Sequence, residues 1–389
     1  MSKKLNIIVF GATGYTGRLT CKYLNQLKPS TCTWGIAGRS KEKLDELVRE
    51  LKNDQLPSFI VDLTKPETID AMCKETVCLI SCAGPFIRVG MPVVEACVRQ
   101  QTHYIDSTGE YPFVRLVSER FHHEAKEKGI ALVCSCGFDS VPSDLGNYVV
   151  HQEAKETLKE VQSLYETKIA GLSSGTMHSM LEVLSFAKEE DLSPCSLIPE
   201  GAVRPTAADT QSGMSYNSTV KKWMGPFVMA PTNERIVRRS NALSGSTASY
   251  LESMGGNFFE IASLNIKSRI LKLAMVIPFT RNRIIKRFPV DVAHGPSEEK
   301  KKTSTFKCTF VGITQSGKKV VTELSSDIDA YDITGVFLSE CALCACNMAK
   351  NKQIKGGVLT PAFAFGEELV KRAPEIGVKI STKFENQKE

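Results

Sequence analysis

The chain has 389 residues, 24% charged and 42% apolar, which leaves room for two or three packed domains and excludes wholesale disorder. Its net charge of +6 is local: residues 267–288, KSRILKLAMVIPFTRNRIIKRF, carry seven Lys or Arg and no acid, so the rest is near neutral and no nucleic-acid partner is expected. Thirteen cysteines in apolar settings, an odd number without framework spacing, point to free thiols in a reducing intracellular compartment, and no run reaches the roughly 18 apolar residues of a membrane span.

The first residues, MSKKLNIIVFG, are basic and then apolar. The apolar part is short and runs straight into glycines, so it reads as a first strand, Leu5–Phe10, and not as a cleaved leader. Further apolar runs lie at Cys32–Ala37, Ser58–Val61, Val77–Cys82, Tyr104–Asp106 and Ile130–Cys134, with helical segments between them. In one of these, KEKLDELVREL, Leu44, Leu47, Val48 and Leu51 recur at helical spacing. Alternating strands and helices require parallel pairing with helices on both faces, so residues 1–144 are expected to form a doubly wound Rossmann sheet of about six strands.

Residues 145–330 read as a second, α+β domain on a mostly antiparallel sheet. Val161, Ser163, Tyr165, Thr167 and Ile169 alternate as in a strand with two unlike faces, and a helix follows from about Gly175 to Lys188. Residues 190–260 are rich in Ser, Thr, Gly, Pro and Asn and give no clear period. FKCTFVGI and KKVVTELSS, separated by TQSG, form a hairpin pattern. The tail, 331–389, returns to helices at Thr334–Met348 and Pro361–Lys371, expected to pack back on the Rossmann domain. Cys341, Cys344 and Cys346 fall short of four metal ligands and read as small core residues, so no metal is expected.

The glycine turn VFGATGYTG carries the functional signal. Gly11, Gly14 and Gly17 follow a strand and open a helix: the first permits the turn, the second lets phosphate approach bare backbone, the third lets the helix lie close on the sheet. Gly11, Thr13, Gly14, Tyr15, Thr16 and Gly17 are therefore the expected pyrophosphate cradle. Arg39 lies where an NAD enzyme carries an acid for the ribose hydroxyl. With Ser40 and Lys41 it suits a 2′-phosphate, so NADP(H) is expected over NAD(H), against the alternative of a solvated basic loop. Asp62 is placed either for the adenine amino group or as a plain strand-end acid. Gly84 and Pro85, after strand four, either pass close to the nicotinamide ribose or make an ordinary turn.

Asp139, Ser140 and Asp144 follow strand six at the carboxyl end of the sheet, where ligands bind in open α/β folds, and are the candidate catalytic residues. The competing reading is helix capping by Ser140 or Ser143, with the acids favouring the first turn. Asp106 and Glu110 in YIDSTGE either line the same cleft or hydrogen-bond at strand ends. No Tyr-x-x-x-Lys occurs, which argues against short-chain dehydrogenase chemistry. Gly171-Leu172-Ser173-Ser174-Gly175 fits a nucleophile elbow, but His294, just after Asp291, is the only histidine beyond His178 and no HGGG segment is present, so a small-residue turn is preferred.

Several segments together resemble the saccharopine dehydrogenase-like oxidoreductases, a family that includes bacterial trans-acting enoyl reductases. They are VFGATGYTG, AGRSKEKL at 37–44, CAGPF at 82–86, YIDSTGE at 104–110 and CSCGFDSVPSDLG at 134–146, with GLSSGTMHSMLEVL, HGPS at 294–297 and GGVLTPAFAFG downstream. The resemblance implies a Rossmann domain, an inserted substrate domain, NAD(P)-linked redox chemistry and an association with complex lipids. Saccharopine reductases carry a Gly-Leu-Asp-Pro-Gly type segment and then Asp-His. Here Gly137-Phe138-Asp139-Ser140-Val141-Pro142 leads to Asp144-Leu145, so saccharopine itself is not the expected substrate. The expected function is NADPH-dependent hydride transfer to a lipid or acyl substrate. The alternative is an NADPH-binding, non-catalytic protein of a membrane or lipid-droplet surface. Residues 267–288 fit an interfacial segment, cations toward anionic headgroups, as well as a buried hairpin with a basic rim. A second copy of the chain is the remaining expected partner.

Overall fold

The computed structural model describes residues 3–28, 31–168, 174–277, 279–280, 283 and 297–385. The elements are β1 (Leu5–Phe10), α1 (Tyr15–Gln26), β2 (Trp34–Gly38), α2 (Lys41–Leu51), β3 (Ser58–Ile60), α3 (Pro66–Glu75), β4 (Thr76–Ser81), α4 (Phe86–Val89), α5 (Met91–Arg99), β5 (His103–Asp106), α6 (Tyr111–Glu127), β6 (Ala131–Val133) and α7 (Val141–Ala154). They continue as β7 (Leu158–Lys168), α8 (Ser174–Phe186), α9 (Glu189–Leu192), β8 (Ser215–Asn217), β9 (Lys222–Gly225), α10 (Ala230–Leu243), β10 (Ser249–Gly256), α11 (Phe258–Val276), α12 (Glu298–Lys301), β11 (Thr305–Thr314), β12 (Lys319–Ser326), α13 (Ala330–Lys350), β13 (Gly357–Leu359), α14 (Pro361–Arg372) and β14 (Lys379–Glu385). Two compact units result: Met1–Val141 with Ser179–Ala187 and Ala330–Leu369, and Pro142–His178 with Lys188–Asp329 and Val370–Glu389.

The first unit holds a parallel sheet in the order β13-β6-β5-β4-β1-β2-β3. Ile7, Ile8 and Val9 of β1 are fully buried, so both faces of the central strand are covered, as a parallel sheet requires. In α2, Leu44, Leu47 and Leu51 are buried, and Ser40 caps the helix by accepting from Lys43 N–H. The sheet has seven strands where about six are expected. The additional one is β13, which pairs Val358 with Leu132 of β6 and whose Val358 N–H donates to His122 Nδ1. Helix α13 packs on α1 and on the sheet, burying Cys341, Cys344 and Cys346 as free thiols. Among the described residues no group of His, Cys, Asp or Glu is arranged to hold a metal.

The second unit is built on a sheet in the order β14-β12-β11-β7-β10-β9-β8. All its pairs are antiparallel except β7 with β10, and the β11–β12 hairpin carries the register Val311↔Val321. Helix α10 occupies part of the region that shows no sequence period. Nearly every one of its residues is buried, including Glu234, Arg235, Arg238 and Arg239. No described helix is long and apolar enough to cross a membrane.

Candidate functional site

At the carboxyl end of β1 the chain turns through Gly11, whose φ of +76° favours glycine and whose N–H donates to Ala37 O at 3.0 Å. A methyl on Gly11 would stand 2.8 Å from Ala83 N, so the turn also lies directly against the chain leaving β4. A methyl on Gly17 would stand 2.2 Å from Gly11 O, which fixes α1 tightly against the turn. Gly14 differs: a methyl there would meet only Gly11 O, at 3.3 Å. Gly14 is the N-cap of α1 and offers no side-chain cap, and the helix has no acid in its first turn. The first N–H groups of Tyr15, Thr16 and Gly17 thus lie at a helix start with nothing built over Gly14, the setting a pyrophosphate needs.

Arg39 is exposed just past β2, two residues beyond the Ala37 carbonyl that holds Gly11, and makes no hydrogen bond or ion pair with the described residues. Its neighbours are engaged: Ser40 Oγ accepts from Lys43 N–H and donates to Glu42, and Lys41 pairs with Asp45 at 2.7 Å. Of the three expected 2′-phosphate contacts, Arg39 alone stands clear of other side chains. Asp62 lies beyond β3, which stops at Ile60. Its Oδ1 accepts from Thr64 N–H at 2.9 Å and Thr64 Oγ1 at 2.7 Å, and these bonds hold its carboxyl below the usual range. Asp62 thereby shapes the loop into α3.

Gly84 and Pro85, joined by a cis bond, lead into α4 beside the Gly11 turn. Their placement depends on Glu110, which sits just before α6 and is 1% exposed. Glu110 Oε1 accepts from Phe86 N–H at 2.9 Å and from Ser179 Oγ at 2.7 Å, while Oε2 accepts from Ile87 N–H at 2.7 Å. Burial raises the Glu110 pKa, against the lowering effect of these three donors. Asp106 does a parallel job at the end of β5. Its Oδ1 accepts from Thr108 N–H and Ser135 N–H, both at 2.9 Å, and Ser135 takes a left-handed φ of +63°. Burial pushes the Asp106 carboxyl up to about 6. The loops after β4, β5 and β6 are therefore laced together by two carboxyls from YIDSTGE.

The loop after β6 carries Asp139. It is anchored by Phe138 N–H donating to Thr334 Oγ1 at 3.1 Å, and Asp139 Oδ2 would lie 3.7 Å from a methyl placed on Gly109. Asp139 retains some exposure, has no hydrogen-bond partner among the described residues, and is pushed up to about 6 by the protein packed around it. Ser140 is fully buried. Asp144 is fully buried in the first turn of α7, where Ser240 Oγ donates to its Oδ1 and ties α7 to α10 within the second unit. Of the three candidates, Asp139 is the one with a carboxyl available for proton transfer. His103 is structural: Ala131 N–H donates to its Nδ1 at 3.0 Å, and burial lowers its pKa to about 4. Residues 171–173 of the GLSSG segment, Asp291, His294 and the HGP of HGPS lie outside the described residues.

A Rossmann sheet with an uncovered helix start at Gly14, a free guanidinium on the neighbouring strand end and an available acid on the same edge defines an NADP-dependent oxidoreductase. Residues 7–133 match the family described as saccharopine dehydrogenase NADP binding domain. A Mycobacterium tuberculosis protein provisionally named a trans-acting enoyl reductase is 31% identical over 98% of both chains, and the Mycobacterium ulcerans trans-acting enoyl reductase is 30% identical over 97% of this chain and 98% of its own. The chain belongs to the saccharopine dehydrogenase-like oxidoreductase family. Its fold is shared with the Saccharomyces cerevisiae saccharopine dehydrogenase (L-Glu forming), which covers 98% of this chain and 100% of its own at a TM-score of 0.55 and 12% identity.

Proposed function

We propose that this oxidoreductase reduces a polarised C=C, C=N or C=O bond in a lipid-like or acyl substrate. NADPH supplies the hydride when bound, and the chain supplies position and a proton. The observation that carries the reading is the Asp139 carboxyl, lacking a partner among the described residues and raised to about 6, held by the loop lattice that also fixes Gly84–Pro85. In its protonated form Asp139 donates to the atom adjoining the carbon that receives hydride. The enoyl reductase names of the full-length relatives favour an activated C=C bond. Recognition of the nucleotide is tested by titration: NADPH binds more tightly than NADH, and Arg39→Asp reverses that order, a swing of about ten- to a hundredfold for a lost charged contact. Unchanged preference would remove Arg39 from the 2′-phosphate site. Catalysis is tested by NADPH consumption against enoyl, imine and ketone panels. No turnover with any of them favours the second reading.

That second reading rests on α11. Phe259, Ile266, Ile270 and Leu273 fall on one helical stripe, continued by Ile277 just past the helix end, and each is at least 44% exposed. Lys267 and Arg269 flank them, and no acid occurs from Ile261 to Val290. An apolar stripe with cations beside it, its flanking acid Glu260 tied to the Asn257 N–H at the helix start, suits an anionic lipid surface, where the protein would serve as a peripheral, NADPH-binding component.

A further inference from the structure

We infer that Glu110 is a positioning residue for the nicotinamide end of the cofactor, acting through the Gly84–Ile87 loop that it grips. The inference rests on the NADP reading above and adds a role for a side chain that touches neither phosphate nor adenosine.

Glu110 is built to be rigid. Its N–H donates to Thr108 Oγ1 at 3.0 Å, and its carbonyl accepts from Phe113 N–H and Val114 N–H at the start of α6. From this fixed base the side chain reaches a loop more than twenty residues away in sequence and takes its first two helical N–H groups, one on each oxygen. Helix α4 has only four residues, and Phe86 is 5% exposed. Without the carboxylate the buried Phe86 N–H would be unmatched and the part-buried Ile87 N–H would lose its acceptor, so the loop would leave the position in which Gly84 and Pro85 stand beside the Gly11 turn. The third donor, Ser179 Oγ, brings α8 to the same carboxyl.

The chemistry of the grip dictates the variant. Both carboxylate oxygens accept, so Glu110→Gln keeps the size but presents an NH2 to one of the two N–H groups, a donor facing a donor. The pyrophosphate and 2′-phosphate contacts lie on β1, α1 and the end of β2, which Glu110 does not touch. Loss of the grip therefore affects one half of the dinucleotide. Titration with NADPH and with 2′-phospho-ADP-ribose, which lacks the nicotinamide, separates the halves. Glu110→Gln is expected to weaken NADPH about tenfold while leaving 2′-phospho-ADP-ribose within about twofold of wild type. Binding of the fragment also reports that the Rossmann unit is folded. Ser179→Ala removes one donor and keeps both loop bonds, and it should leave both affinities within about twofold. The inference is overturned if Glu110→Gln binds NADPH as wild type does, or if both ligands weaken equally, which marks a purely structural role. Failure of the wild-type protein to bind either ligand removes the NADP reading and this inference with it.

Discussion

Gly11, Gly14 and Gly17 look equivalent in sequence and are not equivalent in space. A methyl at Gly17 would overlap the Gly11 carbonyl at 2.2 Å and press on Ala12 Cα at 2.8 Å, so Gly17→Ala must push α1 off the turn. That should cost about 1–3 kcal/mol of stability. Gly14 has an ordinary extended backbone, φ −75°, with only Gly11 O nearby. Gly14→Ala should unfold within about 1 kcal/mol of wild type yet bind NADPH at least about tenfold more weakly, because its methyl occupies the pyrophosphate's approach. Denaturant titration and NADPH titration on both variants check the pair, and unimpaired binding by Gly14→Ala would place the phosphates elsewhere. The glycine spacing is legible in sequence because turn, cap and helix start are consecutive residues. The contact of Gly11 with Cys82–Ala83, the Glu110 grip and the Asp144–Ser240 bond are not, since each joins residues tens of positions apart and only the fold supplies the second partner.

Among the elements, most sheet strands of the first unit are legible because their runs are largely apolar and spaced by amphipathic helices. Strand β13 is not, since Gly357-Val358-Leu359 runs straight into the helix-start signal Leu359-Thr360-Pro361 and reads as the lead into that helix. Helix α10, APTNERIVRRSNAL, hides for a different reason: it is polar in sequence and buried in the fold. Arg235 donates to the Asp191, Leu192 and Pro231 carbonyls, and Arg238 to those of Pro194, Asp209 and Tyr250, so guanidinium groups take the place of an apolar face in holding residues 191–209. Helix α11 is the converse, apolar in sequence and exposed in the fold. If its stripe meets lipid, the chain should sediment with phosphatidylserine vesicles at low salt. At about 1 kcal/mol per cation near an anionic surface, Lys267→Gln with Arg269→Gln should lower partitioning roughly 30-fold. Equal sedimentation of wild type and double variant would sink the lipid reading.

At the scale of the whole molecule, buried ionisable groups set opposing limits on stability with pH. Burial depresses His103 and His151 to about 4, so the unfolded chain binds more protons than the folded one between about pH 4 and 6.5, and stability falls as pH drops through that window. The carboxyls act the other way. Glu252 lies fully buried on β10, where Asn233 Nδ2 donates to its Oε1 at 2.6 Å and Tyr250 Oη to its Oε2 at 2.9 Å, and burial pushes it up to about 8. Its folded pKa lies above the ordinary value of about 4.3, so its stabilising effect is complete below that value and is lost as pH rises toward 8. Glu252→Gln keeps the shape and can still accept from Asn233 while its NH2 donates to the Tyr250 oxygen. The variant should therefore gain on wild type steadily from pH 5 to 8, by on the order of 3 kcal/mol, and then level off. The two tryptophans are divided between the units, so Trp223 fluorescence in a Trp34→Phe background follows urea unfolding of the second unit alone. A difference between the two proteins that stays constant across this range would mean that Glu252 is ionised in the fold. The polar cluster of Asn233, Tyr250 and Glu252 would then have to be held together by charge and not by a shared proton.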